Sequence, residues 1–262
     1  MKHVIRFLKS LLVVCLSLFS LITFKTVILH YTRTDGVAIL GYHGVVSDEQ
    51  KKTIYTNDPY KMSVSEFDEQ MSYLAKNGYH SLSMDELYRY VEDKNVQLPK
   101  KSVVITFDDG YENVLTNAYP ILKKYNLQAT TFLIGKKVTS NLDGYLKLSD
   151  IQNDETMQFY SHSFDLHHKA SGFDRKKIDA ISLADIADDF QSNQGVIDQS
   201  YFAFPYGRTK SGIEEILQSY DVKLAFGYNQ NRKMIREDNR YLLPRYFMFA
   251  RMPFAYFTWL VS

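Results

Sequence analysis

The chain has 262 residues, of which 45% are hydrophobic and 23% charged, an ordinary balance for one globular domain of barrel size behind a short leader. Removing the five basic residues of the leader and its flank (Lys2, Arg6, Lys9, Lys25 and Arg33) leaves 26 basic against 30 acidic residues, a formal charge of −4. That charge argues against nucleic acid as a partner, because such binding is driven by phosphate neutralisation. Cys15 is the only cysteine, which excludes an intrachain disulfide and leaves the core to supply stability.

In chain order, Lys2, Arg6 and Lys9 precede an apolar run over residues 11–24. Alone the run is short for a spanning helix, which needs ~20 residues; it suffices if flanking apolar residues join it and Lys25 snorkels. No small-x-small cleavage site follows. Residues 1–30 are therefore expected to form an uncleaved signal-anchor, N-terminus inside by the positive-inside rule, with a cleaved signal peptide as the alternative. Residues 31–262 would then be an exported domain.

Residues 37–42 read as a strand ending at His43. Residues 46–62 read as a long polar loop. Ser63-x-x-Glu66 and Ser83-x-x-Glu86 are capping boxes that open two helices, the first stopped by Asn77-Gly78. Residues 102–105 form a β-branched strand that runs into Thr106-Phe107-Asp108-Asp109-Gly110. Residues 111–125 read as a helix divided by Pro120, and residues 128–134 as the next strand. Residues 157–161 form a strand that ends in His162-Ser163-Phe164-Asp165-Leu166-His167-His168. A charged surface stretch follows over residues 169–180. A helix from 182 to 199 leads to Phe202-Ala203-Phe204-Pro205-Tyr206-Gly207, a helix over 211–220 leads to a strand near 223–226, and a last strand spans 246–249. Strands alternating with helices predict a mostly parallel α/β sheet, and chemical groups at strand ends suggest a closed or nearly closed barrel.

Those strand ends carry the chemistry. Two adjacent carboxylates at a sheet rim repel unless a cation or proton separates them, so one of Asp108 and Asp109 is expected to bind a metal and the other to serve as a base. Two imidazoles and a carboxylate, with positions left for water, suit Zn²⁺ or a similar ion, which acidifies bound water and polarises a carbonyl. Singly, each segment is commonplace: an acidic turn, core histidines, a Pro-Tyr-Gly turn. Their joint occurrence in this order is not.

The combination resembles the NodB-type polysaccharide deacetylases, carbohydrate esterase family 4, and is most similar to the circularly permuted branch that de-N-acetylates poly-N-acetylglucosamine. In that branch the second metal histidine lies five positions after the first, as His167 follows His162. The resemblance implies a distorted (β/α) barrel of about seven strands. It implies Asp109, His162 and His167 as metal ligands (Zn²⁺, with Co²⁺ or Ni²⁺ as alternatives) and Asp108 as the base. It also implies His43 as the acid toward the leaving amine and the Tyr206 backbone N–H as a donor to the oxyanion. Ala203 stands where the family carries an arginine, so Arg245 is the candidate to steady Asp108. The implied substrate is an extracellular or cell-wall amino-sugar polysaccharide, acted on by a monomer tethered at the membrane. An O-acetyl esterase and a non-catalytic glycan-binding protein are the competing readings. A Mg²⁺-dependent phosphoryl-transfer site fits the histidine pair poorly.

Overall fold

A computed structural model describes residues 36–168, 177–229 and 232–262, together with residues 10, 12, 14, 15, 17 and 20 of the leader. The anchor expected over residues 1–30 and the charged stretch after His168 therefore lie largely outside the described residues. Among the described residues no helix is long and apolar enough to cross a membrane.

Gly36–Ser262 forms one compact unit around a parallel sheet. The strands are β1 (Ala38–Tyr42), β2 (Gly44–Val46), β3 (Lys61–Ser63), β4 (His80–Ser81), β5 (Ser102–Phe107), β6 (Ala129–Leu133), β7 (Met157–Ser161), β8 (Tyr201–Ala203), β9 (Leu224–Phe226) and β10 (Tyr246–Phe247). Seven of them line up as β10-β1-β5-β6-β7-β8-β9, with β4 paired to the first half of β5. The expected α/β architecture with about seven parallel strands is thus present. Its outer edges approach each other: Leu243 bridges in parallel to Phe226 beyond β9, and three residues later Tyr246 pairs with Leu40 of β1.

Side-chain alternation explains the layering. Ala38, Leu40 and Tyr42 of β1 and Val103, Ile105 and Phe107 of β5 face outward into a core shared with the helices Val64–Lys76, Tyr119–Tyr125 and Phe254–Val261. Ile39 and Val104 face the other way. They meet Phe132, Tyr160, Tyr201, Leu224, Phe226 and Leu243 in a second cluster, so strands from both edges share one interior. A third cluster packs Phe202, Phe204 and Ala225 against the helices Leu183–Asn193 and Ile213–Ser219.

Local differences from the sequence reading have local causes. Residues 46–62 are not all loop. Ser47 and Gln50 make a reciprocal capping box that starts the helix Asp48–Thr53, and β3 pairs with β2. The helix expected over 182–199 is Leu183–Asn193. It ends where the Asn193 side chain donates to Ser161 Oγ at 2.9 Å and Gly195 turns left-handed at φ 73°. The helix over 211–220 is Ile213–Ser219, and the last strand keeps only Tyr246 and Phe247. Around Pro120 a π-turn over Val114–Ala118 gives way to an α-helix that places proline in its first turn, where no N–H is needed.

Candidate active site

Parallel strands deliver their C-terminal ends to one rim. Asp108 and Asp109 follow β5, His162 follows β7, His43 follows β1 and Tyr206 follows β8; Tyr228 lies two residues beyond β9, and Arg245 directly precedes β10. His43, Asp108, Asp109, His162, His167, Tyr206 and Tyr228 line a cleft of about 630 Å³, together with Asp58, Tyr60, Tyr111, Arg208 and Phe247. The turns that aim these groups hold unusual backbone. Asp109 (φ 74°), Ser163 (φ 73°) and Tyr206 (φ 60°) are non-glycine residues in the left-handed region, strain of a kind that persists where surrounding structure enforces it. Gly110 (φ 78°) completes the turn after the aspartates, and a Cβ there would meet Leu133 Cδ2 at 2.7 Å.

One atom each of Asp109, His162 and His167 forms a group whose members all lie within 4.8 Å of one another. Asp109 Oδ1 stands 3.2 Å from His167 Nε2 and 3.6 Å from His162 Nε2. His162 Nδ1 lies 2.7 Å from the Ala203 carbonyl. That contact fixes the proton on Nδ1 and turns the Nε2 lone pair toward Asp109. Burial lowers the His162 pKa to about 4, so the ring is neutral and ready to ligate at ordinary pH. Asp109 Oδ1 is buried without a hydrogen-bond partner, a costly arrangement that a cation would relieve. Donor chemistry and the orphaned oxygen both fit a divalent ion. His168 stands apart: it is exposed, with Nδ1 3.6 Å from Asp165 Oδ1, and Asp165 also pairs with Lys136 at 2.8 Å.

Asp108 has different company. Arg245, fully buried, grips it with two bonds, Nη1 to Oδ1 at 2.7 Å and Nη2 to Oδ2 at 2.8 Å. Arg245 is itself held by the Gly227 carbonyl (3.2 Å) and Thr106 Oγ1 (3.1 Å). The Tyr228 hydroxyl donates to Asp108 Oδ2 at 2.7 Å. Burial pushes the Asp108 pKa upward, but the Arg245 guanidinium and the nearby imidazoles outweigh it and hold the carboxyl well below its ordinary value. Burial raises the Tyr228 phenol well above its usual value, so it remains a donor.

His43 sits edge-on to Tyr60 (4.9 Å between ring centres) and Phe247 (5.6 Å), and its buried Nδ1 has no hydrogen-bond partner. Burial lowers its pKa, against the opposing pull of Asp109 and Asp108. The Tyr206 ring stacks on His167 at 4.2 Å. Sequence reasoning missed Tyr228, Tyr60, Tyr111 and Lys61. Lys61 is buried with its ammonium 2.8 Å above the Tyr111 ring centre, and burial lowers its pKa to about 8.

A parallel α/β sheet carries at its C-terminal rim an Asp-His-His group able to hold a metal ion and, beside it, a clamped carboxylate, an arrangement suited to hydrolysis. Residues 95–225 match the family model described as Polysaccharide deacetylase, and the chain belongs to that family. It is 29% identical over 198 residues to the "Poly-beta-1,6-N-acetyl-D-glucosamine N-deacetylase" of Staphylococcus aureus (strain MSSA476), covering 71% of this chain and 67% of that protein. The fold resembles the structure of IcaB from Ammonifex degensii (TM-score 0.71, 24% identity, 88% of this chain and 99% of that one). It also resembles the Streptococcus pyogenes deacetylase PplD in complex with acetate (TM-score 0.68, 24% identity, 87% and 99%).

Proposed function

We propose that this polysaccharide deacetylase removes N-acetyl groups from a poly-N-acetylglucosamine polymer, releasing acetate. The observation that carries the reading is the division of the two aspartates. Asp109 shares a cation-sized space with His162 and His167, while Asp108 is clamped by Arg245. The name of the Staphylococcus aureus relative supports the choice of polymer.

Asp109, His162 and His167 would hold the ion, for which Zn²⁺ is the first choice and Co²⁺ or Ni²⁺ the alternatives. Bound there it would supply Lewis-acid polarisation of the acetamide and an acidified water. The chain's own groups do the rest. Asp108, ionised and fixed by Arg245, accepts the proton of the attacking water. The Tyr206 backbone N–H serves as a donor to the oxyanion that develops on the acetyl carbon. His43, protonated before the attack, passes its proton to the nitrogen as the C–N bond breaks, and the proton taken up by Asp108 restores it. Acetate and a free amine result. Tyr60, Phe247 and Tyr206 wall the cleft with aromatic surface on which sugar rings stack. The basic n-region and apolar run support tethering of this monomeric domain outside the membrane; recovery of the full-length protein in a salt-resistant membrane fraction is expected, and recovery in the culture medium would contradict it.

The test is acetate release by the full-length protein from poly-β-1,6-N-acetylglucosamine, isolated cell wall and an O-acetylated glycan. Acetate matched by new free amines on the first polymer is expected. Release confined to the O-acetylated glycan would make the protein an esterase. No release from any of them with metal bound would point to a different acetylated substrate, and failure to bind metal at all would favour the non-catalytic glycan-binding reading.

A further inference from the structure

Tyr228 is held as firmly as the groups it touches. Its ring lies between two glycines that leave room for nothing else. A Cβ on Gly41 would stand 2.6 Å from the phenol oxygen, and a Cβ on Gly207 2.6 Å from Cδ2. The Arg245 guanidinium stacks 4.4 Å from the ring centre, and Phe247 meets it edge-on at 6.0 Å. The hydroxyl so fixed donates to one oxygen of Asp108 only.

That asymmetry matters because each carboxylate oxygen has two lone-pair directions. Oδ2 receives both Arg245 Nη2 (2.8 Å) and the Tyr228 hydroxyl (2.7 Å) and is saturated. Oδ1 receives Arg245 Nη1 alone (2.7 Å) and keeps one direction open. We propose that Tyr228 is a positioning residue that closes Oδ2 and makes Oδ1 the single oxygen of Asp108 that accepts the proton. Without the hydroxyl the two oxygens compete, and the fraction of Asp108 presenting the productive lone pair falls. The kinetic consequence rests on the deacetylase reading; the inequivalence of the two oxygens does not.

Tyr228→Phe removes the hydroxyl and keeps the ring, so the packing between Gly41 and Gly207 is retained. In full-length protein the expected result is a roughly 10- to 100-fold fall in kcat, the scale of one hydrogen bond to a charged group, with KM unchanged within about twofold. Metal affinity and melting temperature should match the parent. A second readout needs no turnover. In metal-free protein the infrared carboxylate band that Asp108→Asn removes should shift in Tyr228→Phe. An unshifted band, an unchanged kcat, or a kcat loss explained by weaker metal binding overturns the proposal. A parent protein that releases no acetate would instead defeat the deacetylase reading, and the infrared shift would still decide the role of Tyr228.

Discussion

Asp108 and Asp109 are neighbours in sequence with opposite surroundings, and their roles follow from those surroundings. A buried carboxylate clamped by a buried guanidinium is stable only as a pair, because removing one partner strands a charge in low dielectric. Arg245→Gln is therefore expected to cost about 3–5 kcal/mol in denaturant unfolding. Adding Asp108→Asn should recover part of that loss and none of the activity; full additivity of the two changes would contradict the coupling. The imidazoles give a pH signature. The His162 pKa is lowered to about 4 from 6.5, so the unfolded chain binds this proton first. Stability of the metal-free protein is complete above about 6.5 and falls as the pH drops toward 4, by on the order of 3 kcal/mol. Thermal unfolding across that window checks it, and a flat profile would contradict it. At this scale most of the site was legible, because Asp-Asp-Gly and the spaced histidines are contiguous signals. Tyr228 and Lys61 were not, since nothing local in Gly227-Tyr228 or Tyr60-Lys61 marks a residue whose partners lie far away in sequence: Asp108 for Tyr228, Tyr111 for Lys61.

At the level of elements, caps and turns decide where functional residues point. Ser63 ends β3 and caps the helix Val64–Lys76, accepting from the Glu66 backbone while Glu66 returns to the Ser63 N–H at 3.0 Å. Ser63→Ala should cost about 1 kcal/mol of stability and leave kcat unchanged, since the cap lies outside the cleft. Gly110→Ala should lower turnover as well as stability, because it forces a Cβ toward Leu133 at a left-handed position directly after the aspartates. Helices announced by capping boxes were legible, as were strands written in β-branched runs. The two-residue strand His80–Ser81 and the helix Phe254–Val261 were not. The first gets its pairing from β5 and the second from packing on the core, and neither carries a pattern of its own.

Across the whole molecule, one parallel sheet brings residues 43, 108, 109, 162, 228 and 245 to a single rim although they span most of the folded unit. The strand order β10-β1-β5 is what lets Arg245, directly before β10, reach across β1 to Asp108, directly after β5. An assembled ligand set links metal to global stability. Zn²⁺ at a hundredfold excess over its dissociation constant should stabilise the protein by roughly 3 kcal/mol, and Asp109→Asn should abolish that gain. The most direct test of the division of labour is a paired measurement of metal content and acetate release in Asp108→Asn and Asp109→Asn. Asp108→Asn is expected to bind one equivalent of metal with near-parental affinity and to release acetate at least about a hundredfold more slowly. Asp109→Asn is expected to lose the metal and the activity together. Loss of metal from Asp108→Asn, or its retention by Asp109→Asn, would contradict the account.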